Sequence, residues 1–544
     1  MKEMKKFFLL ISALLFLLAI PVSVLSENEH LVFYVNINNG DDSNDGLSWS
    51  NAFKNLQPAL DASVNGDTIK VAAGTYLPTQ KMAEVYNEKA NTVLPTNDRH
   101  RSFLIKNQIS LYGGFPVDAT MLSERDWKKN QTILSGDFNG DDSDNFENRD
   151  ENTLHVVVML NATSSTCLDG FYITGGNASA DSADIIIDGT LVQYNCGSGI
   201  YAFSEDESSP RLANLVIWDN QAERNGGGFY NYSIGTNASP QLINVTVTGN
   251  YAGERGGGIY NDGMYAAPLL QNVNISGNFT TYDGGGFFCI AEKATAPCLE
   301  NVLFSGNMAK TGGGAYFIAL EEDTSPMLTN VTVCGNKATG TGGGLVVAAM
   351  IALAHPEIRN SVFWGNRSNR VDNIIIEGAS NTTSVWDSQL FSNNFIEDIN
   401  GTTDPIFIDP VDANFAPTNS GNYRLSAEST LIDAGDNSFV TLSEDLDGQT
   451  RIIGDIVDIG AYEYQGNNTG NKALNTNEQI WSHQGYLYVK IPNADVSLRI
   501  YSINGQLVRQ AFKLGEGLYT YSLPGGFYIV SLSTGVTAKI FISF

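Results

Sequence analysis

Two short loops hold the residues best suited by type and spacing to bind a metal ion. Asp41, Asp42, Asn44 and Asp45 lie in one, and Asp137, Asn139, Asp141, Asp142 and Asp144 in the other. Calcium is a hard cation that takes roughly six to eight oxygen ligands, so carboxylates and amides crowded along a loop suit it. The candidate ligands are Asp137, Asn139, Asp141 and Asp144, with Asp41, Asn44 and Asp45 as a second set. Neither loop has the glutamate that closes an EF-hand. The plainer alternative for each is a solvated polar turn.

Sugar-polymer chemistry leaves fewer candidates. Elimination from an acidic polysaccharide needs a basic side chain, with calcium or arginine to neutralise the substrate carboxylate. Arg224 and Arg255 each precede a glycine triplet, with Glu223 and Glu254 beside them; a solvated charge pair at a turn is the alternative. Hydrolysis needs two carboxylates at a set separation, and Asp219, Asp262, Asp283 and Asp323 fall at different places in their repeats. His155 leads into Val156-Val157-Val158 and fits a strand. No catalytic residue is assigned. A column of rings, Tyr201, Tyr230, Tyr260, Phe288 and Tyr316, follows the glycines at equivalent positions. Facing outward it would stack on sugars or a partner; facing inward it is core.

All these residues hang on a repeat. Pro-x-Leu/Ile-x-Asn begins at Pro210, Pro240, Pro268, Pro297, Pro326 and Pro356, spaced 28 to 30 residues apart. A second asparagine follows at Asn220, Asn250, Asn278, Asn307, Asn336 and Asn366, and Gly-Gly-Gly starts at Gly226, Gly256, Gly284, Gly312 and Gly342. Segments such as Val245-Thr246-Val247-Thr248 alternate with period two and are β-branched, so the stacked unit is β. The spacing predicts an all-β chain: a right-handed parallel β-helix with three short strands per coil. Leu212, Leu242, Leu270, Leu299, Leu328 and Ile358 should stack inside, with the first asparagines at a left-handed bend.

The rhythm of Asn250-Tyr251-Ala252 and Gly256-Gly257-Gly258-Ile259-Tyr260 is similar to polymorphic outer membrane protein repeats, and the whole pattern resembles the pectate-lyase-like superfamily. Residues 27–79 read as an N-terminal cap and first coil, including an amphipathic helix from Trp49 to Ala62 with Phe53, Leu56 and Leu60 on one face. Residues 80–465 carry the β-helix, whose tract from Asp404 through Asp458-Ile459-Gly460-Ala461-Tyr462-Glu463 resembles the closing segment of secreted bacterial β-helix proteins. Residues 466–474 form a linker, and 475–544 a small C-terminal antiparallel β-sandwich with a hairpin turn at Asn504-Gly505. Leu498-Arg499-Ile500-Tyr501-Ser502-Ile503-Asn504-Gly505-Gln506-Leu507-Val508 and Leu523-Pro524-Gly525-Gly526-Phe527-Tyr528-Ile529-Val530 resemble the type IX secretion sorting domain of Bacteroidetes. That resemblance implies the type IX machinery as a partner, removal of the domain, and attachment to surface lipopolysaccharide or release.

Composition fits export. Residues 1–26, with Lys2, Lys5 and Lys6 before an apolar run, read as a signal peptide. Its removal takes those lysines and Glu3 and moves the net charge from −28 to −30. So acidic a chain has no footprint for nucleic acid. Five cysteines without a CxxC pair make neither a disulfide framework nor a zinc site. The functional expectation is a secreted cell-surface protein, exposed outside the outer membrane, that binds glycan or a host or other protein without catalysis. The alternative is a polysaccharide lyase or glycoside hydrolase acting on acidic polysaccharide.

Overall fold

Asparagine at the first bend is what lets each repeat turn. Asn214, Asn244, Asn272, Asn301, Asn330 and Asn360 all have φ between 49° and 56°, a left-handed conformation that asparagine tolerates better than most residues. Strands flank the bend, as in Arg211–Ala213 and Val216–Trp218, and run through it in Gln241–Thr248, Leu269–Ser276 and Cys298–Ser305.

The computed structural model describes residues 30–466 and 479–542, apart from 82–83, 88–91, 95–96, 120, 144–145, 180–183, 188, 379–390, 398–403, 484–485, 492–495, 503–506, 516, 525 and 533–536. The expected signal peptide, Asp144, nearly all of the linker and the Asn504-Gly505 turn lie outside the described residues. Contacts divide the chain after Tyr464 into two units.

In the first unit the strands of the repeats pair in parallel with their equivalents one repeat later. Leu212, Leu242, Leu270, Leu299, Leu328 and Ile358 stand in continuous register and are at most 1% exposed. After the glycines a second face is built from Ile200–Ser204, Phe229–Ser233, Ile259–Gly263, Phe287–Ala291, Ala315–Ala319 and Leu345–Ala349. Short strands such as Gln221–Ala222, Tyr251–Ala252 and Phe279–Thr280 add a ladder between the two. The result is the parallel β-helix that the register predicts.

The second asparagines point into the core and form a polar spine. Nδ2 of Asn220, Asn250, Asn278, Asn307 and Asn336 donates to Oδ1 of the next asparagine at 2.9 to 3.1 Å, and each acceptor also takes the preceding asparagine's backbone N–H. Buried amides thus satisfy one another coil by coil. The glycine triplets are steric necessities. A Cβ on Gly257 would lie 2.4 Å from the Phe279 carbonyl oxygen and 2.6 Å from that of Gly285.

The helix near the N-terminal end is shorter than the sequence predicts. Trp49–Asn51 is a single 3-10 turn, and the α-helix spans only Leu56–Ala62. The Asp42 carboxylate, accepting from the Lys54 and Asn55 backbone amides at 2.9 and 2.8 Å, holds the intervening chain extended. Phe53, Leu56 and Leu60 are all buried against the first coils. An insertion in the early coils forms a four-stranded antiparallel sheet from Glu84–Asn87, Thr92–Leu94, Asp184–Ile187 and Thr190–Val192.

The closing segment packs Phe407, Tyr423, Leu431, Ile459 and Tyr462 onto Leu303, Cys334 and Val362, on the outer face of the later coils. Its centre is Arg451, 1% exposed and ringed by the buried carboxylates of Asp445, Asp458 and Glu463. Each of these carboxylates accepts backbone N–H bonds. The second unit is antiparallel: Gln479–His483, Tyr486–Ile491 and Gly517–Ser522 form one sheet, and Val496–Ser502, Leu507–Leu514, Gly526–Leu532 and Thr537–Ile542 another. Leu487, Val489, Leu498, Ile500 and Val530 fill the core between them.

Candidate functional site: carboxylates and aromatic rings on the early coils

The loop after the strand Thr132–Ser135 folds back on itself, with Phe146 and Asn148 at φ near 60°. This reversal brings Asp137 and Asp141 against Glu151, with one carboxylate oxygen from each within 4.8 Å of the others. Among the described residues they form the one acidic group compact enough to share a cation. Glu151 Oε1 is buried without a hydrogen-bond partner, as is Oδ1 of the adjoining Asn152. Three oxygens of like charge at this distance repel one another unless a proton or cation lies among them. Desolvation, followed by the charges of Asp141 and Asp137, accordingly pushes the Glu151 carboxyl up. The donor set is all oxygen and suits calcium.

Sequence reasoning placed Asp137 and Asp141 together but missed Glu151, which lies beyond the run of aspartates. Asn139 is exposed. The second set is not assembled at all. Asp41 accepts from Ser43 N and Oγ at 2.9 and 2.7 Å, Asp45 from Leu47 N at 3.0 Å, and Asn44 donates to the Ala52 carbonyl at 2.9 Å. These side chains shape their own loop, as short polar residues in turns do.

Beside the carboxylates sits Arg149, whose side chain is 2% exposed; it pairs with Asp219 at 2.6 Å and Asp142 at 3.5 Å. Burial raises the Asp142 carboxyl to about 6, against the pull of Arg149. A carboxyl that binds its proton more tightly when folded stabilises the fold below its unfolded value of 3.8, and that contribution is lost as pH rises through about 6. Protons therefore compete with any cation in this loop. Glu151, whose carboxyl desolvation pushes up, takes a proton more readily than an ordinary carboxylate, so calcium affinity is expected to be lower at pH 5 than at pH 7, measurable by calorimetric titration at the two values.

Two strips of half-buried rings meet at Arg149. Its guanidinium lies 4.7 Å from the Phe146 centroid, and Phe146, Tyr251 and Phe279 follow at 5.9 and 5.3 Å. Asp219, its ion-pair partner, adjoins Trp218, which meets Tyr172 and then Trp127 at 5.9 and 6.1 Å. Tyr251 and Phe279 each come directly after a spine asparagine, a regularity visible in the sequence; Trp127 and Tyr172 obey no such register.

The column expected to bind sugars is placed differently. Tyr201, Tyr230, Tyr260 and Phe288 do point away from the helix interior, yet they are only 1 to 7% exposed, and Tyr316 is half-buried. Neighbouring rings from Tyr201 to Phe288 stack at 5.1 to 5.5 Å, and Tyr316 meets Phe288 edge-on. Ile187 and Val192 of the insertion pack into the same cluster, and the Tyr230 hydroxyl bonds Gln193 at 3.2 Å. With their faces occupied, these rings serve as a second apolar core.

The charged candidates are also spoken for. Arg224 pairs with Glu254, and Arg255 with Asp283, both at 3.1 Å along an exposed edge. Asp262 accepts from the Tyr260 hydroxyl at 3.0 Å, and Asp323 from Leu353 N at 3.0 Å. His155 is wholly buried, and desolvation lowers it to about 4, so it stays neutral. The five cysteines are unpaired.

No family model matches the sequence, and no curated protein matches it. Among solved structures, the chain is similar to the crystal structure of pectate lyase Pel9A, with 14% identity, TM-score 0.38 and coverage of 79% of this chain and 96% of that one. It is also similar to a rhamnogalacturonan lyase, with 12% identity, TM-score 0.29 and coverage of 73% and 97%.

Proposed function

We propose that this chain is an exported β-helix protein that binds glycan along the outer surface of its early coils, beside a calcium ion held by Asp137, Asp141 and Glu151. The observation that carries this reading is the meeting at Arg149 of two strips of half-buried rings next to the carboxylate cluster. Rings spaced along a rigid face suit a chain of sugar units, whose apolar faces pack on aromatics. Calcium would supply a positive charge on an otherwise acidic surface, so that an acidic sugar is tolerated there. Arg149, paired with Asp219 and Asp142, acts as the bracket that fixes Phe146 and Asp219. Export by the leader and delivery by the type IX machinery, ending on surface lipopolysaccharide or in release, complete the proposal. They rest on residues 1–26 and 475–544.

Affinity electrophoresis through gels cast with neutral and acidic polysaccharides tests the binding. At least one polymer should retard the protein, and Trp218→Ala with Tyr251→Ala should weaken retardation at least about tenfold, the loss of two stacking contacts, without lowering the unfolding temperature by more than a few degrees. Unchanged retardation in the double variant would overturn the assignment of the face. Release of unsaturated sugars absorbing in the ultraviolet would show a lyase instead.

A further inference from the structure

A separate cavity of about 240 Å³ lies between the later coils and the closing segment. Its floor is the outward side of consecutive parallel strands, with Cys298, Met327 and Glu357 in one column and Glu300, Thr329 and Arg359 in the other. The wall is the turn Asn437–Phe439 and the residues after it. The turn is fixed in place: Thr441 Oγ1 bonds Glu300 at 2.8 Å, and Arg359 lies 4.4 Å from the Phe439 centroid.

The lining is chemically specific. Arg359 pairs with Glu357 at 2.8 Å but keeps a buried Nε–H without a hydrogen-bond partner, a donor that is costly to leave unmet. Met327, 45% exposed, and Phe439 supply apolar surface next to it. Two carboxylates against one guanidinium leave the lining net negative and unfavourable to anions. The volume is below the roughly 300–1,000 Å³ of sites for drug-sized ligands, enough for one ring and not a chain. From this combination we infer that the cavity binds a single neutral sugar residue, its hydroxyls taken by Arg359 and the threonine hydroxyls and its apolar face by Met327.

Cys298 reports on occupancy because its thiol lines the cavity. Burial pushes that thiol and the also half-buried Cys167 up to about 11, and Cys167, which lies outside the cavity, serves as the internal control. The full chain is alkylated with N-ethylmaleimide at pH 9 and each cysteine followed by peptide mass spectrometry, with methyl glucoside, galactoside or mannoside as probes. At roughly 100 mM, a hundredfold above a millimolar Kd, one of these should slow Cys298 at least ~10-fold and leave Cys167 unchanged. Arg359→Gln should remove the protection, and Met327→Trp should fill the cavity and slow Cys298 without sugar. The inference is overturned by absence of protection, by equal slowing of Cys167, by protection that survives Arg359→Gln, or by equal protection from methyl glucuronate. Since neither cysteine lies on the ring strips of the early coils, failure here leaves the proposed glycan face standing, and the reverse holds as well.

Discussion

Replacing Asn307 with alanine is expected to destabilise the β-helix by about 3–5 kcal/mol, because it orphans several buried groups at once. Asn307 Oδ1 accepts from both N and Nδ2 of Asn278, at 2.9 and 3.0 Å. Its Nδ2 donates to the Ile275 carbonyl at 2.8 Å and to Asn336 Oδ1 at 2.9 Å. Each abandoned partner costs roughly 1–3 kcal/mol where water cannot enter, and partial relaxation holds the total below the sum. A bend asparagine is a useful contrast. Asn272→Gly keeps a residue content with positive φ, gives up a bond from Asn301 Nδ2 that also reaches the Glu444 carbonyl, and should cost no more than about 1 kcal/mol. Guanidinium unfolding followed by circular dichroism measures both, and a loss under 1 kcal/mol for Asn307→Ala would contradict the role given to the spine.

Calcium should stabilise the first unit by about 2.7 kcal/mol at a hundred times its Kd, and Asp137→Asn with Glu151→Gln should abolish the effect. The paired change removes two of the three charges that converge within 4.8 Å while keeping side-chain volume. It also relieves like-charge repulsion, so the double variant in chelator should be at least as stable as the parent in chelator. That sign separates loss of a ligand set from general damage. Calorimetric titration and thermal scans with and without chelator are the measurements; no heat and no shift in the parent protein would remove the metal from this site.

How far the chain explained itself depended on whether a feature recurs. The leucine stack and the bend asparagines repeat at a fixed interval, so their direction and backbone conformation could be inferred before any contact was known. The column from Tyr201 to Tyr316 repeats as well, but its burial depends on Ile187, Val192 and Gln193, which sit in a non-repeating insertion. Glu151 was missed for a similar reason: a loop reversal at Phe146 and Asn148 carries it back to Asp137. Tyr172 and Trp218 stand two positions apart in register on paired strands and Trp127 lies in a loop, so the three become neighbours only when the coils stack. The Trp49–Ala62 helix is shortened by Asp42, a competitor for its backbone amides that periodicity does not register.

The most direct measurement of the proposed face is tryptophan emission during titration with the polysaccharide that retards the protein most. If glycan lies on these rings, emission shifts saturably to shorter wavelength in the parent chain, and the shift vanishes in Trp127→Phe with Trp218→Phe, whose rings still stack but do not report. A saturable shift of the same size in that double variant would place the glycan elsewhere and contradict the assignment.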